Sequence, residues 1–139
     1  MQMQPYIHKI QYYETDAMGI VHHSNYIRWF EEARLDYLEQ LGYSYSQLED
    51  EDIVSPVLEI TGKYMSSVRY GDSVNIKVIK TEFNGVKLGF SYEVTDMVTG
   101  QIRATGTSMH CFMNREGRFL RMKQQKPELY ELLCTCTDN

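Results

Sequence analysis

The sequence predicts an α+β domain in which one long helix lies against a curved antiparallel sheet. Two patterns carry that reading. Between Tyr26 and Leu41 apolar residues recur at spacings of three and four, and from Leu58 to Met113 they recur at alternate positions. Residues Tyr6 to Tyr12 open the chain as a first strand with imperfect alternation, and a glycine-containing segment runs from Tyr13 to Asn25. Tyr26, Phe30, Ala33, Tyr37, Leu38 and Leu41 then make one apolar helix face, opposite Glu31, Glu32, Arg34, Asp36, Glu39 and Gln40. Ser24 or Asn25 is placed to cap this helix of roughly four turns, and Gly42 to close it in a left-handed cap.

A polar stretch from Ser44 to Asp52 separates the helix from the strands. Leu58, Ile60, Gly62 and Tyr64 alternate with more polar neighbours, as do Val74, Ile76 and Val78. The clearest run is Val86, Leu88, Phe90, Tyr92 and Val94, interleaved with Lys87, Gly89, Ser91, Glu93 and Thr95. Period two this regular means one wet face and one buried face. Asn84-Gly85 is a hairpin signal, a second turn falls near Asp96 to Gly100, and a strand follows from Gln101 to Met113. Pro127 to Leu133 reads as a short helix with proline in its first turn. The Tyr26–Leu41 helix is the one element large enough to cover the sheet. Open sheet edges favour pairing between subunits.

Composition narrows the function classes. A length of 139 residues suits one domain over 1–139, and no repeat or Pro/Gly/Ser linker divides it. A net charge of −5 argues against nucleic acid as a partner, although a local basic patch can still hold a phosphorylated ligand. No apolar stretch is long enough to span a bilayer, and the first residues lack the apolar segment of a signal peptide. Cys111, Cys134 and Cys136 have no metal-type spacing, so reduced thiols in a cytoplasmic protein are expected. Eleven tyrosines and eight methionines suggest a core or pocket with adaptable, partly polar walls.

Chemistry concentrates between Tyr13 and Tyr26. Asp16 supplies a short carboxylate, Gly19 lets backbone approach a ligand, and the helix start offers N–H groups that favour negative charge. Together these are parts for attack on a carbonyl. An Asp ahead of a helix is also a plain cap, and composition does not separate the two roles. His22 and His23 invite a metal reading with Asp16 as third ligand. Adjacent side chains usually diverge, however, and no His-x3-His pair is present, so no metal is expected. His8 and His110 fall in strands as ordinary half-exposed residues, Glu31 and Glu32 on a solvated helix face, and Cys111 in packing.

The segment resembles the active-site signature of hotdog-fold acyl-CoA thioesterases of the 4-hydroxybenzoyl-CoA thioesterase type, including those encoded with the Tol-Pal system. Asp16, Gly19, Val21, His23, Asn25 and Tyr26 match the family pattern, and Arg28 to Arg34 (RWFEEAR) continues it into the helix. Tyr70-Gly71-Asp72 resembles the turn before the family's middle strand. The resemblance implies a hotdog fold and hydrolysis of acyl-CoA thioesters with no metal or other cofactor, coenzyme A being part of the substrate. It implies that Asp16 is general base or nucleophile and that a backbone N–H near His23 faces the thioester oxygen. Gly19, Val21, His22 and Tyr26 would line the substrate region, in a pocket formed between subunits of a homodimer or homotetramer. Lys63, Arg69, Lys87, Arg103 and Arg118 are candidates for the coenzyme A phosphates. Two competitors remain: a dehydratase or hydratase acting on acyl thioesters, whose usual Asp-x-Asn-Pro-x-His segment is missing, and a non-catalytic acyl-CoA-binding module.

Overall fold

Five antiparallel strands form one sheet: β1 (Tyr6–Lys9), β2 (Val57–Tyr64), β3 (Ser73–Phe83), β4 (Lys87–Asp96) and β5 (Ile102–Cys111), in the order β1-β3-β4-β5-β2. The computed structural model describes residues 3–136. Helix α1 (Ser24–Gln40) packs on one face of the sheet, and the short helices α2 (Tyr45–Asp50), α3 (Met122–Gln125) and α4 (Pro127–Thr135) complete the chain. This is the hotdog arrangement that the resemblance implies. The β3–β4 hairpin turns where Asn84 Oδ1 accepts from Val86 and Lys87 N–H, at 2.9 and 2.7 Å, with Gly85 at φ +92°. Asp96 Oδ1 does the same for Val98 and Thr99 at the β4–β5 turn.

Helix α1 buries the predicted face, with Trp29 added to it. It stops as Gly42 at φ +96° lets Gly42 N–H reach Glu39 O and Tyr43 N–H reach Leu38 O, a paired closure of the last free carbonyls. Phe30 stacks on Tyr92 at 4.4 Å, and this needs Gly106 on the neighbouring strand. A Cβ at Gly106 would lie 2.5 Å from the Phe30 ring and 2.7 Å from Thr61 O.

Four expectations change. The first strand ends at Lys9 rather than Tyr12, because the Glu14 side chain captures Gln11 N–H at 2.7 Å and winds Tyr12–Glu14 into a 3-10 turn. Neither Ser24 nor Asn25 caps α1. His23 holds the cap position without a side-chain bond, while Asn25 Nδ2 donates to Glu14 O and Ser24 Oγ bonds His22 Nδ1. The polar stretch after α1 contains α2, started by a Ser44/Gln47 capping box. Finally, β2 does not bury an alternate face. It lies at the sheet edge, and Val57, Leu58 and Tyr64 are each 47–48% exposed.

A buried carboxylate ties the entry loop to the frame. Glu14 accepts from the Trp29 indole at 2.6 Å and from Gln11 N–H, and it lies 2.8 and 3.1 Å from His8 Nε2. Burial pushes Glu14 upward. The bonds from Gln11, Trp29 and His8 outweigh that and hold its pKa below the ordinary 4.5. A depressed carboxylate stabilises the fold above its unfolded pKa, and that contribution disappears as pH falls through the lowered folded value. Glu14→Gln, which turns an amide N–H toward one of these donors, should lower unfolding free energy by about 1–3 kcal/mol at pH 7. The gap from the native protein should close in acid; urea titrations giving equal midpoints at pH 7 would refute this. Gly106→Ala should cost about 1–3 kcal/mol through the Phe30 clash, read from the same titrations, and a shift under 0.5 kcal/mol would argue that Phe30 simply moves aside.

Candidate active site

Between Thr15 and Val21 the chain makes a tight hairpin. Asp16 N–H donates to Ile20 O at 2.8 Å, Gly19 N–H to Asp16 O at 3.0 Å, and Gly19 takes φ +79°. This is a turn followed by a left-handed glycine, a geometry that a side chain at position 19 would strain. Asp16 Oδ1 accepts from Met18 N–H at 2.8 Å and, longer, from Ile20 N–H at 3.4 Å. Its other oxygen has no hydrogen-bond partner among the described residues. The carboxylate is thus oriented by its own loop while keeping a lone-pair face available.

The helix start is equally specific. His22 N–H donates to Glu14 O, Ser24 N–H to His22 Nδ1, Asn25 N–H to His22 O and Tyr26 N–H to His23 O. Among the described residues the His23 N–H has no acceptor. It lies at the positive end of α1, where a developing oxyanion is favoured.

An open depression of about 290 Å³ joins these groups, lined by Asp16, Ile20, Val21, His23 and Tyr26 from the loop and helix start. Tyr64, Met65, Ser66 and Ser67 line its other side, at the end of β2. The Tyr26 and Tyr64 rings lie 4.9 Å apart. Burial first, and then Tyr64, push the Tyr26 phenol up to about 12, so it carries its proton at neutral pH. Tyr64 and the three residues that follow β2 were not foreseen in the site, since no local pattern says which strand end meets the loop.

The structure gathers Asp16, Val21, His23 and Tyr26 around the depression, with Gly19 shaping the loop. His22 is exposed outside this lining; its ring stacks on His23 at 4.1 Å and bonds Ser24. Among the described residues no three His, Cys, Asp or Glu side chains converge as a metal site. Of the basic candidates, Arg69 bridges to Ile20, and Arg103 pairs with Asp96 at 3.1 Å and reaches Ser66 at 3.3 Å, so both flank this site. Lys63 is exposed on β2, whereas Lys87 and Arg118 lie toward the other end of the sheet. His110, expected to be half-exposed, is buried at 2% because β5 turns it under α1. It helps line a second cavity of about 290 Å³, with Glu31, Arg34 and Val57, at the opposite end of β2.

Comparison with known proteins bears on the family and the fold. The family model described as "Thioesterase-like superfamily" matches residues 10–133. The chain is 32% identical over 108 residues to a Bacillus subtilis protein provisionally named acyl-CoA thioesterase YneP, covering 78% of each. Escherichia coli acyl-CoA thioester hydrolase YbgC is 28% identical over 88 residues, 63% of this chain and 66% of that one. A crystal structure of a DHNA-CoA thioesterase from Staphylococcus aureus superposes with a TM-score of 0.88 at 30% identity, covering 94% of this chain and 88% of the other. With a family model spanning most of its length and the hotdog fold in place, this chain belongs to the thioesterase-like superfamily.

Proposed function

We propose that this protein hydrolyses acyl-CoA thioesters to a free carboxylic acid and coenzyme A, with Asp16 as the catalytic carboxylate. The observation that carries this reading is that one depression is lined by both Asp16 and His23, whose second carboxylate oxygen and backbone N–H respectively have no partner among the described residues. The His23 N–H donates to the thioester oxygen as it gains charge. Asp16 either attacks the carbonyl carbon, giving an anhydride that water opens, or takes a proton from the water that attacks. In both routes the C–S bond breaks, the thiolate leaves with a proton, and the acyl carbon ends as a carboxylate. Gly19 keeps the loop tight beside the thioester, and Val21 and Tyr26 line it. His22 supports the helix start through Ser24 and the His23 ring. No metal or other cofactor takes part in this route.

The functional unit is a homodimer, or a homotetramer built from such dimers. Strand β2 is a sheet edge of eight residues carrying exposed Val57, Leu58 and Tyr64, the kind of edge that a second copy covers. The working compartment is the cytoplasm, in keeping with three free cysteines and with no helix long and apolar enough to cross a membrane among the described residues.

Thiol release from a panel of acyl-CoAs should show turnover by the native protein and a fall of at least ~100-fold in kcat for Asp16→Asn. Unchanged hydrolysis by a folded Asp16→Asn protein would refute the mechanism, and binding without cleavage by the native protein would instead indicate an acyl-CoA-binding module. Sedimentation at micromolar concentration should give a dimer or larger; a monomer would remove the shared pocket.

A further inference from the structure

Tyr26 carries a polar atom that the route above leaves unused. The residue is only 3% exposed and lines the Asp16 depression. Its ring packs against Trp29 at 4.7 Å and Tyr64 at 4.9 Å, and Trp29 is itself fixed by its indole bond to Glu14. Buried hydroxyls are nearly always hydrogen-bonded. The Tyr26 hydroxyl has no such partner among the described residues. Of their side-chain polar atoms, Arg103 Nε alone is both unpartnered and shut off from open space. The Tyr26 oxygen therefore reaches the open space of the depression that it lines.

Helix geometry aims this hydroxyl. His23 already has helical backbone angles, φ −57° and ψ −27°, so Tyr26 stands about one turn above it on the same side of α1. Side chains on a helix lean toward its N-terminus, which carries the phenol back over the first turn, where the free His23 N–H lies.

The other polar side chains around the depression are engaged or exposed. Tyr64 Oη donates to His23 O at 3.5 Å, and Ser66 Oγ donates to Ile102 O at 3.0 Å while accepting from Arg103 Nη1. Ser67 and the His23 ring are exposed, so water competes for both. An ionised Asp16 can only accept. Tyr26 is left as the buried hydroxyl free to donate. Burial, and then Tyr64, keep the phenol protonated through neutral pH, while the Arg103 charge acts the other way and polarises the O–H. A carbonyl oxygen that gains charge has lone pairs for more than one donor, and the His23 N–H fills only one.

We propose that Tyr26 is a catalytic residue whose O–H, together with the His23 N–H, forms a two-donor oxyanion hole for the thioester carbonyl. This rests on the thioesterase reading above. As the nucleophile's electron pair forms the new bond to the acyl carbon, the C=O π pair moves onto oxygen, where both donors meet it. When that pair returns, the C–S bond breaks and sulfur leaves with its electrons. Tyr26 keeps its proton throughout, and the proton that the thiolate takes comes from water in either route.

The test measures thiol release from the acyl-CoA panel by the native protein, Tyr26→Phe, Ser67→Ala and Asp16→Asn, with a urea midpoint for each. Tyr26→Phe removes no bond within the described fold, so its midpoint should match or exceed the native one. Its kcat should fall about 100-fold while KM stays within about threefold, because the donor strengthens only as the oxygen gains charge. Its pH–rate profile should keep the native shape from about pH 6 to about pH 9, since the phenol does not titrate there. Should Tyr26→Phe fail to fold, Tyr26→Met, which also lacks the hydroxyl, reads the same kcat and KM. A kcat loss below about threefold, a loss confined to KM, or an altered basic limb of the pH profile would each overturn the proposal. A larger kcat loss in Ser67→Ala than in Tyr26→Phe would overturn it too, by giving the second donor to Ser67. Hydrolysis by the native protein stands in all of these cases. If the native protein cleaves no acyl-CoA of any kind, the thioesterase reading fails first.

Discussion

Glu14 gathers donors from three parts of the chain: the indole of α1, the ring of His8 on β1, and the backbone at the start of its own turn. Its backbone oxygen receives two more, from His22 N–H and the Asn25 amide. A carboxylate so buried is tolerable only with that many donors, and their geometry leaves little freedom to the backbone around it. The loop carrying Asp16 and the first turn of α1 are therefore held from behind by one residue. Because Glu14 takes the His22 N–H and the His22 oxygen takes the Asn25 N–H, the His23 N–H is the one left over. The apparent looseness at the helix start follows from a well-satisfied group two residues before Asp16.

The same separation of tasks runs through the molecule. Groups that hold the site are saturated, and groups offered to a ligand are not. Asp16 uses one oxygen to fix its own turn and keeps the other free. Tyr92, Ser108 and His110 consume each other's hydrogen bonds and leave Arg34 with donors to spare. Pre-orienting a group through a partner that makes no other use of it lowers the ordering cost of binding.

The edge strand links these two regions. In one chain β2 has apolar side chains in water on both faces, which is costly unless another surface covers them. Its two ends border the Asp16 depression and the second cavity. A two-fold pairing along β2 would thus cover the exposed residues and set the Asp16 end of one strand beside the Val57 end of the other.

Much of this was legible in the residues themselves. The apolar spacing from Tyr26 to Leu41 specified α1 and its buried face, because a helix repeats its contacts every three to four residues. Asn84-Gly85 specified the β3–β4 hairpin, and Gly42 the end of α1, since few residues accept left-handed backbone. Asp16 and Gly19 stood out as a local unit and form one. What the sequence left open depended on residues far apart along the chain. His110 is buried because β5 runs under α1, and Tyr64 and Ser66 reach the Asp16 loop because β2 crosses to the far edge of the sheet. The N-terminal cap of α1 went astray for the same reason: Glu14 O draws off the Asn25 amide, and His22 engages the Ser24 hydroxyl and the Ser24 and Asn25 N–H groups. Periodicity reports which face of an element is apolar, but only the packed fold decides what meets it.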